Sequence, residues 1–234
     1  MRETVKRSGR GRLSDRVAVG VLTRTFPPGR VDAAPLKVLF EQARGPVGGP
    51  DTPGVWWRGR RLTAIDGFTL DLPDSPANRT EFGGPTDGAF PQVRCVAHAE
   101  VGTRALIDAA FGPYSVGEQT LTRDLIGDDG AQQTVSELFC LATTMLDPTA
   151  APMEEIPALY RQRWEGETAI GAIKTTLRGD ITVRLRSHQP DGVRQEVWAL
   201  LCVYQALCEL IADAAATPTR PSNTTSAEHW RTTA

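Results

Sequence analysis

The chain has 234 residues, 40% hydrophobic and 23% charged, with 22 Gly, 17 Pro and only 6% aromatics. That composition is the one expected of a soluble globular protein with a sizeable core in one large or two small domains, and it argues against an all-helical bundle. A net charge of −2 neither demands nor excludes a nucleic-acid partner, because DNA binding needs a local basic patch, not a global excess.

Residues 1–30 form such a patch. Arg2, Lys6, Arg7, Arg10, Arg12, Arg16, Arg24 and Arg30 face only Glu3 and Asp15, either as a solvated tail or as a phosphate-contacting arm. Pro27, Pro28 and Gly29 stop any helix begun around residues 13–23. No sustained apolar stretch reads as a secretory leader, and the run 198–208, interrupted by Gln205, is too short to span a bilayer. The expected compartment is the cytoplasm, with no membrane partner.

Residues 34–43 read as a short helix with Leu36, Leu39 and Phe40 on one side, followed by a Gly/Pro-rich connection through Pro53. From 56 to 114 the pattern is strand-like. Strands expected at 62–66, 93–99 and 104–111 make an antiparallel meander. A helix over 117–126 carries Glu118 at its start, where the helix dipole favours negative charge. A fourth strand is expected at 138–146, a long helix at 152–177, and a second at 193–216 with Val193, Val197, Leu200, Tyr204, Leu207 and Ile211 at helical spacing. Residues 218–234, rich in Thr, Ser and Pro, read as disordered. The implied domains are a shortened N-terminal region with a basic arm (1–55), a main domain (56–216) and a tail (217–234). Cys95, Cys140, Cys202 and Cys208 lie in apolar runs without C-x-x-C spacing and read as reduced core thiols; His98, His188 and His229 lack metal-ligand spacing.

In the 152–177 helix, Tyr160, Arg163, Glu167 and Lys174 are separated by two, three and six residues. At 100° per residue they lie at roughly 0°, −60°, −20° and −40°, on one narrow face. A carboxylate between two cations and a phenol suits a phosphodiester: Glu167 can hold a divalent metal, and Arg163 and Lys174 can grip phosphate oxygens. By geometry alone, charges on a solvated helix face produce the same pattern.

The stretch YRQRWEGETAIGAIKTTLRG resembles the Tyr-(2)-Arg-(3)-Glu-(6)-Lys signature of the insertion-element-4-like family of cut-and-paste DDE transposases. Three further segments are similar to that family in the same order: AIDGFTLDLPDSPANRTEFG, FPQVRCVAHAEVGTRALIDAAFGPYSVGE and RSHQPDGVRQEVWALL. The resemblance implies an α/β fold with an RNase H-like mixed sheet and flanking helices. It also implies two Mg²⁺ or Mn²⁺ ions held by acidic residues, with metal-dependent strand cleavage and strand transfer at transposon ends. Asp66, in an Asp-Gly expected to end a strand, looks like the first carboxylate, although outside this context it reads as a turn aspartate before Gly67. Glu167 looks like the third. Tyr160, Arg163 and Lys174 would contact the DNA backbone, which positions DNA without reading sequence. The implied partners are double-stranded DNA, at terminal inverted repeats and target, and a second copy in the synaptic complex, in a nucleoid-associated setting.

The family's second aspartate ends a core strand, but between residues 126 and 138 only GDDGAQQTVSE is present, with no apolar strand ahead of Asp128 and Asp129. The family's β-rich insertion before the glutamate helix also has no counterpart, and RLSDRVAVGVL jumps directly to VDAAPLKVLFEQ. Two internal deletions, one core strand and the insertion missing, are the expectation. The alternative is a non-catalytic DNA-binding remnant or inhibitor.

Overall fold

The computed structural model describes residues 32–86, 89–126 and 184–216, together with positions 149, 152, 155, 159, 171 and 173. Helix α1 spans Ala33–Ala43 and starts where the Asp32 side chain accepts from the Ala34 N–H. Leu36 and Phe40, one turn apart, are buried, and Leu39 packs beside them, as the helical spacing requires.

Two short strands follow, β1 (Trp56–Trp57) and β2 (Arg60–Arg61), paired antiparallel in a hairpin separate from the main sheet. The strand pattern of the sequence did not resolve this hairpin. The main sheet contains β3 (Thr63–Asp71), β4 (Gln92–Glu100) and β5 (Leu106–Pro113), antiparallel in that spatial order, which is the expected meander. The first strand does not stop at Asp66. It runs on through Gly67 to Asp71, so Asp66 lies mid-strand and is not a turn residue.

Gly67 explains the misreading. It is in the strand because α3 (Glu118–Ile126) lies against it: a β-carbon at Gly67 would overlap the Glu118 carboxyl group. Between β3 and β4 sits α2 (Pro76–Phe82), capped by the Ser75 hydroxyl, which accepts from the Asn78 N–H at 3.2 Å, and opened by Pro76 in its first turn. The sheet is covered on both faces. Phe68, Leu70, Cys95 and Ala97 face the main core, whereas Gly67 and Val96, on the alternate face, lie towards α3 and its buried Leu121.

The last described helix, α4 (Pro190–Ala216), starts three residues ahead of the expected 193 and buries Val193, Val197, Leu201, Tyr204 and Cys208, whereas Leu207 and Ile211 of the expected stripe are exposed because the packed face turns through 201 and 208. Its Trp198 sits between Phe40 of α1 and Phe111 of β5, with ring centroids 5.5 and 4.9 Å away. Fully burying a side chain such as Phe40 is worth about 2–3 kcal/mol. Gln205, fully buried, accepts from the Leu106 N–H at 2.8 Å and donates to the carbonyls of Ala43 (3.4 Å) and Gly45 (3.3 Å), tying helix, sheet and the end of α1 together. Of the described helices, α4 alone is long and apolar enough to cross a membrane by composition; it buries one face and leaves Leu207, Leu210 and Ile211 exposed. The expected strand at 138–146, the disordered reading of 218–234 and the basic arm lie outside the described residues.

Candidate functional site

Asp66 lies on the sheet face that carries Phe68 and Leu70, and its cross-strand row runs through Ala97 of β4 to Ala109 of β5. Two small side chains in that row leave room beside the carboxylate, which is half-buried. The Gly67 N–H donates to one Asp66 oxygen at 2.9 Å. A strand-mounted, half-buried carboxylate flanked by alanines is a hard oxygen donor suited to a divalent cation such as Mg²⁺.

The partners expected for Asp66, namely Tyr160, Arg163, Glu167 and Lys174, lie outside the described residues. Two points of that segment are fixed. The Leu159 N–H donates to the Glu155 carbonyl at 3.1 Å, a helical turn at the expected start. Ile173 is fully buried in the core cluster that also holds Phe68, Leu70 and Ala97, so at residue 173 the chain packs on the same face of the sheet as Asp66. Among the described residues, no three His, Cys, Asp or Glu side chains gather as a metal set.

Other carboxylates have structural surroundings. Glu100 has no exposed side-chain surface; it accepts from the Val47 N–H (3.2 Å), the Gly48 N–H (2.8 Å) and the Thr103 hydroxyl, and pairs with Arg61. Glu118 faces Gly67 from the opposite side of the sheet and is a sheet's thickness from the Asp66 face. Glu196 of α4 accepts from the Arg186 N–H at 2.8 Å, while its other oxygen is buried without a partner, and burial pushes its pKa above the usual carboxylate range.

Cys95, Cys202 and Cys208 are buried and in no disulfide, as expected, Cys140 lying outside the described residues, and burial pushes Cys202 up to about 12 and Cys208 to about 11. His98 sits half-buried on the α3 side of the sheet, and loss of water lowers its pKa. None of these groups joins Asp66.

One connection was not legible in the sequence. Arg58, at the tip of the β1–β2 hairpin, makes a two-pronged ion pair with Glu155, at 2.7 and 3.2 Å. The segment leading into Asp66 is thereby bonded to the segment leading into Glu167, across 97 positions of sequence. Their neighbours' chemistry, a WWRGRR stretch and an acidic helix start, was visible; their pairing was not.

This α/β domain, with antiparallel strands and helices on both faces, fits the class that the comparisons indicate. A family model described as a transposase DDE domain matches residues 129–206. The chain is 26% identical over 233 residues to the transposase InsG for insertion sequence element IS4 of Escherichia coli (strain K12), covering 65% of this chain and 52% of that protein. It is 32% identical over 102 residues to the putative transposase InsZ of the same organism, covering 42% of this chain and 34% of that protein. Over these stretches the chain is similar to the insertion-element-4-like DDE transposases. It spans about half the length of the first of these curated relatives and a third of the second. No solved structure matches it.

Proposed function

We propose that the chain is an internally shortened DDE transposase that binds transposon-end DNA and whose cut-and-paste chemistry is impaired by loss of the second catalytic aspartate. The observation that carries this reading is the intact Tyr160, Arg163, Glu167 and Lys174 spacing inside the matched 129–206 region. Ile173, packed on Asp66's side of the sheet, supports the assignment of Asp66 and Glu167 to one site.

In this reading Asp66 and Glu167 hold divalent metal, while Tyr160, Arg163 and Lys174 bind the phosphate backbone and fix its register. Bound Mg²⁺ or Mn²⁺ supplies activation of a water or 3′-hydroxyl and stabilisation of the leaving oxygen. The DNA partners are terminal inverted repeats and target DNA, and a second copy of the chain completes the synaptic complex.

The fold in this reading is an RNase H-like sheet that has lost a core strand. Among the described residues β3 has a strand on one side only, while Leu185 donates its N–H to the Asp71 carbonyl near the far end of the other edge. An alignment of 233 positions that uses 65% of a 234-residue chain leaves many of the relative's residues with no counterpart here, which supports an internal deletion. Two carboxylates without their third partner bind metal weakly.

The test uses the purified chain, a labelled duplex carrying a matching transposon end, and Mg²⁺ or Mn²⁺. Gel shift is expected to show binding that weakens in Arg163→Ala and Lys174→Ala across sequences, with a smaller salt slope and no cleaved or joined product. A nicked product that disappears in Asp66→Asn would overturn the impaired-chemistry reading; unchanged binding in both clamp variants would overturn the clamp.

A further inference from the structure

The β1–β2 hairpin has two unlike faces. On one, Trp56 donates its indole N–H to the Gly49 carbonyl at 2.7 Å, and Arg61 stacks on Trp56 at 4.4 Å while pairing with buried Glu100. This face is fastened to the domain. Strand alternation puts Trp57 and its cross-strand partner Arg60 on the opposite face, where Arg58 lies over the Trp57 ring at 5.1 Å. Arg58 and Arg60 are exposed and Trp57 is half-buried between them.

The turn is built to hold a cation at its tip. Both turn residues are left-handed, Arg58 at φ 47° and Gly59 at φ 74°, the geometry in which Asn-Gly is the usual low-strain choice. Arginine there carries a conformational cost that a hairpin without a charge requirement would avoid. The six residues Trp56 to Arg61 hold three arginines and no carboxylate. Glu155, the carboxylate across from Arg58, is 44% exposed and Arg58 43%; an ion pair so open to water contributes little and exchanges readily.

We propose that the Trp57, Arg58 and Arg60 face of this hairpin is a second contact for the DNA backbone, with Glu155 holding Arg58 until a phosphate takes its place. Guanidinium forks match phosphate oxygens in two-pronged geometry, and the Trp57 indole beneath Arg58 backs the guanidinium. Arg60 lies six residues before Asp66 along nearly continuous strand, so at most about 20 Å separates them. A duplex with a phosphate at Asp66 thus reaches the hairpin within about one helical turn. This inference rests on the reading of the chain as a DNA-binding transposase relative.

The experiment measures fluorescence anisotropy of a labelled duplex of arbitrary sequence with the full chain over a salt series. Arg58→Gln with Arg60→Gln is expected to weaken binding roughly fivefold or more and to lower the salt slope by about one for each arginine removed. Glu155→Gln, which frees Arg58, is expected to tighten binding roughly two- to threefold. Arg60→Lys, which keeps the charge, is expected to retain the slope, and circular dichroism checks that each variant folds. Unchanged binding in the double arginine variant, or weaker binding in Glu155→Gln, overturns the hairpin contact. If these variants bind normally while Arg163→Ala with Lys174→Ala loses binding, only the hairpin inference falls. If the wild-type chain binds no duplex, the DNA-binding reading falls with it.

Discussion

Glu196 shows how burial at one residue becomes a pH dependence. Its pKa is raised because its carboxylate is removed from water, with one oxygen held by the Arg186 N–H and the other unpaired. The folded state therefore holds a proton that the unfolded state releases at lower pH. The associated stability is fully present below the ordinary glutamate value of 4.5 and is lost as pH rises through the folded pKa. Glu196→Gln removes the charge while keeping the acceptor. Thermal melts at pH 7 are expected to show the variant more stable than wild type by about 1 kcal/mol, with the advantage shrinking towards pH 4. Asp66 and Gly67 illustrate the limit of reading residues singly. The pair reads locally as a turn, because aspartate followed by glycine is ordinary turn chemistry. In the fold, glycine is there to admit the Glu118 carboxyl group, and the strand continues.

At the level of elements, periodicity located the helices at Ala33–Ala43 and Pro190–Ala216 because each buries a stripe of regularly spaced apolar residues, although in the second the expected Leu207 and Ile211 lie outside the buried stripe. The three-strand meander was legible for the same reason, with alternation in place of helical spacing. The helix Pro76–Phe82 was missed although its Ser-Pro start and Gly83 stop were in plain sight, since seven residues are too few for a periodic signal. Within α4 the interrupting polar residue, Gln205, is the one that joins three elements. Gln205→Leu fills a similar volume but leaves the Leu106 N–H and the carbonyls of Ala43 and Gly45 without it. Denaturant unfolding is expected to show a loss of about 2–4 kcal/mol, several times that of Leu207→Ala on the exposed side of the same helix. Equal losses would mean that the three hydrogen bonds contribute nothing beyond side-chain packing.

The proposed site depends on the whole molecule, because Asp66 comes from the first strand of the sheet and Glu167 from a segment about a hundred positions later. The described contacts between the two segments are the packing of Ile173 beside Phe68 and Leu70 and the Arg58–Glu155 pair. A site with two of three carboxylates is expected to hold Mn²⁺ with an affinity on the order of millimolar. Thermal melts should then rise only as Mn²⁺ reaches that range, with the rise absent in Asp66→Asn. A shift already complete at micromolar Mn²⁺ would mean that a third ligand is supplied from elsewhere in the chain. The sequence by itself determined the similarity to insertion-element-4-like transposases, the α/β character and the Tyr160-to-Lys174 spacing, since these live in residue order and spacing. Only the tertiary structure decided that Asp66 is mid-strand, that Gly67 makes room for Glu118, and that an arginine hairpin is bonded to Glu155. The physical reason is range: spacing records which side chains share one element's face, whereas contacts between distant segments are settled by how those faces pack.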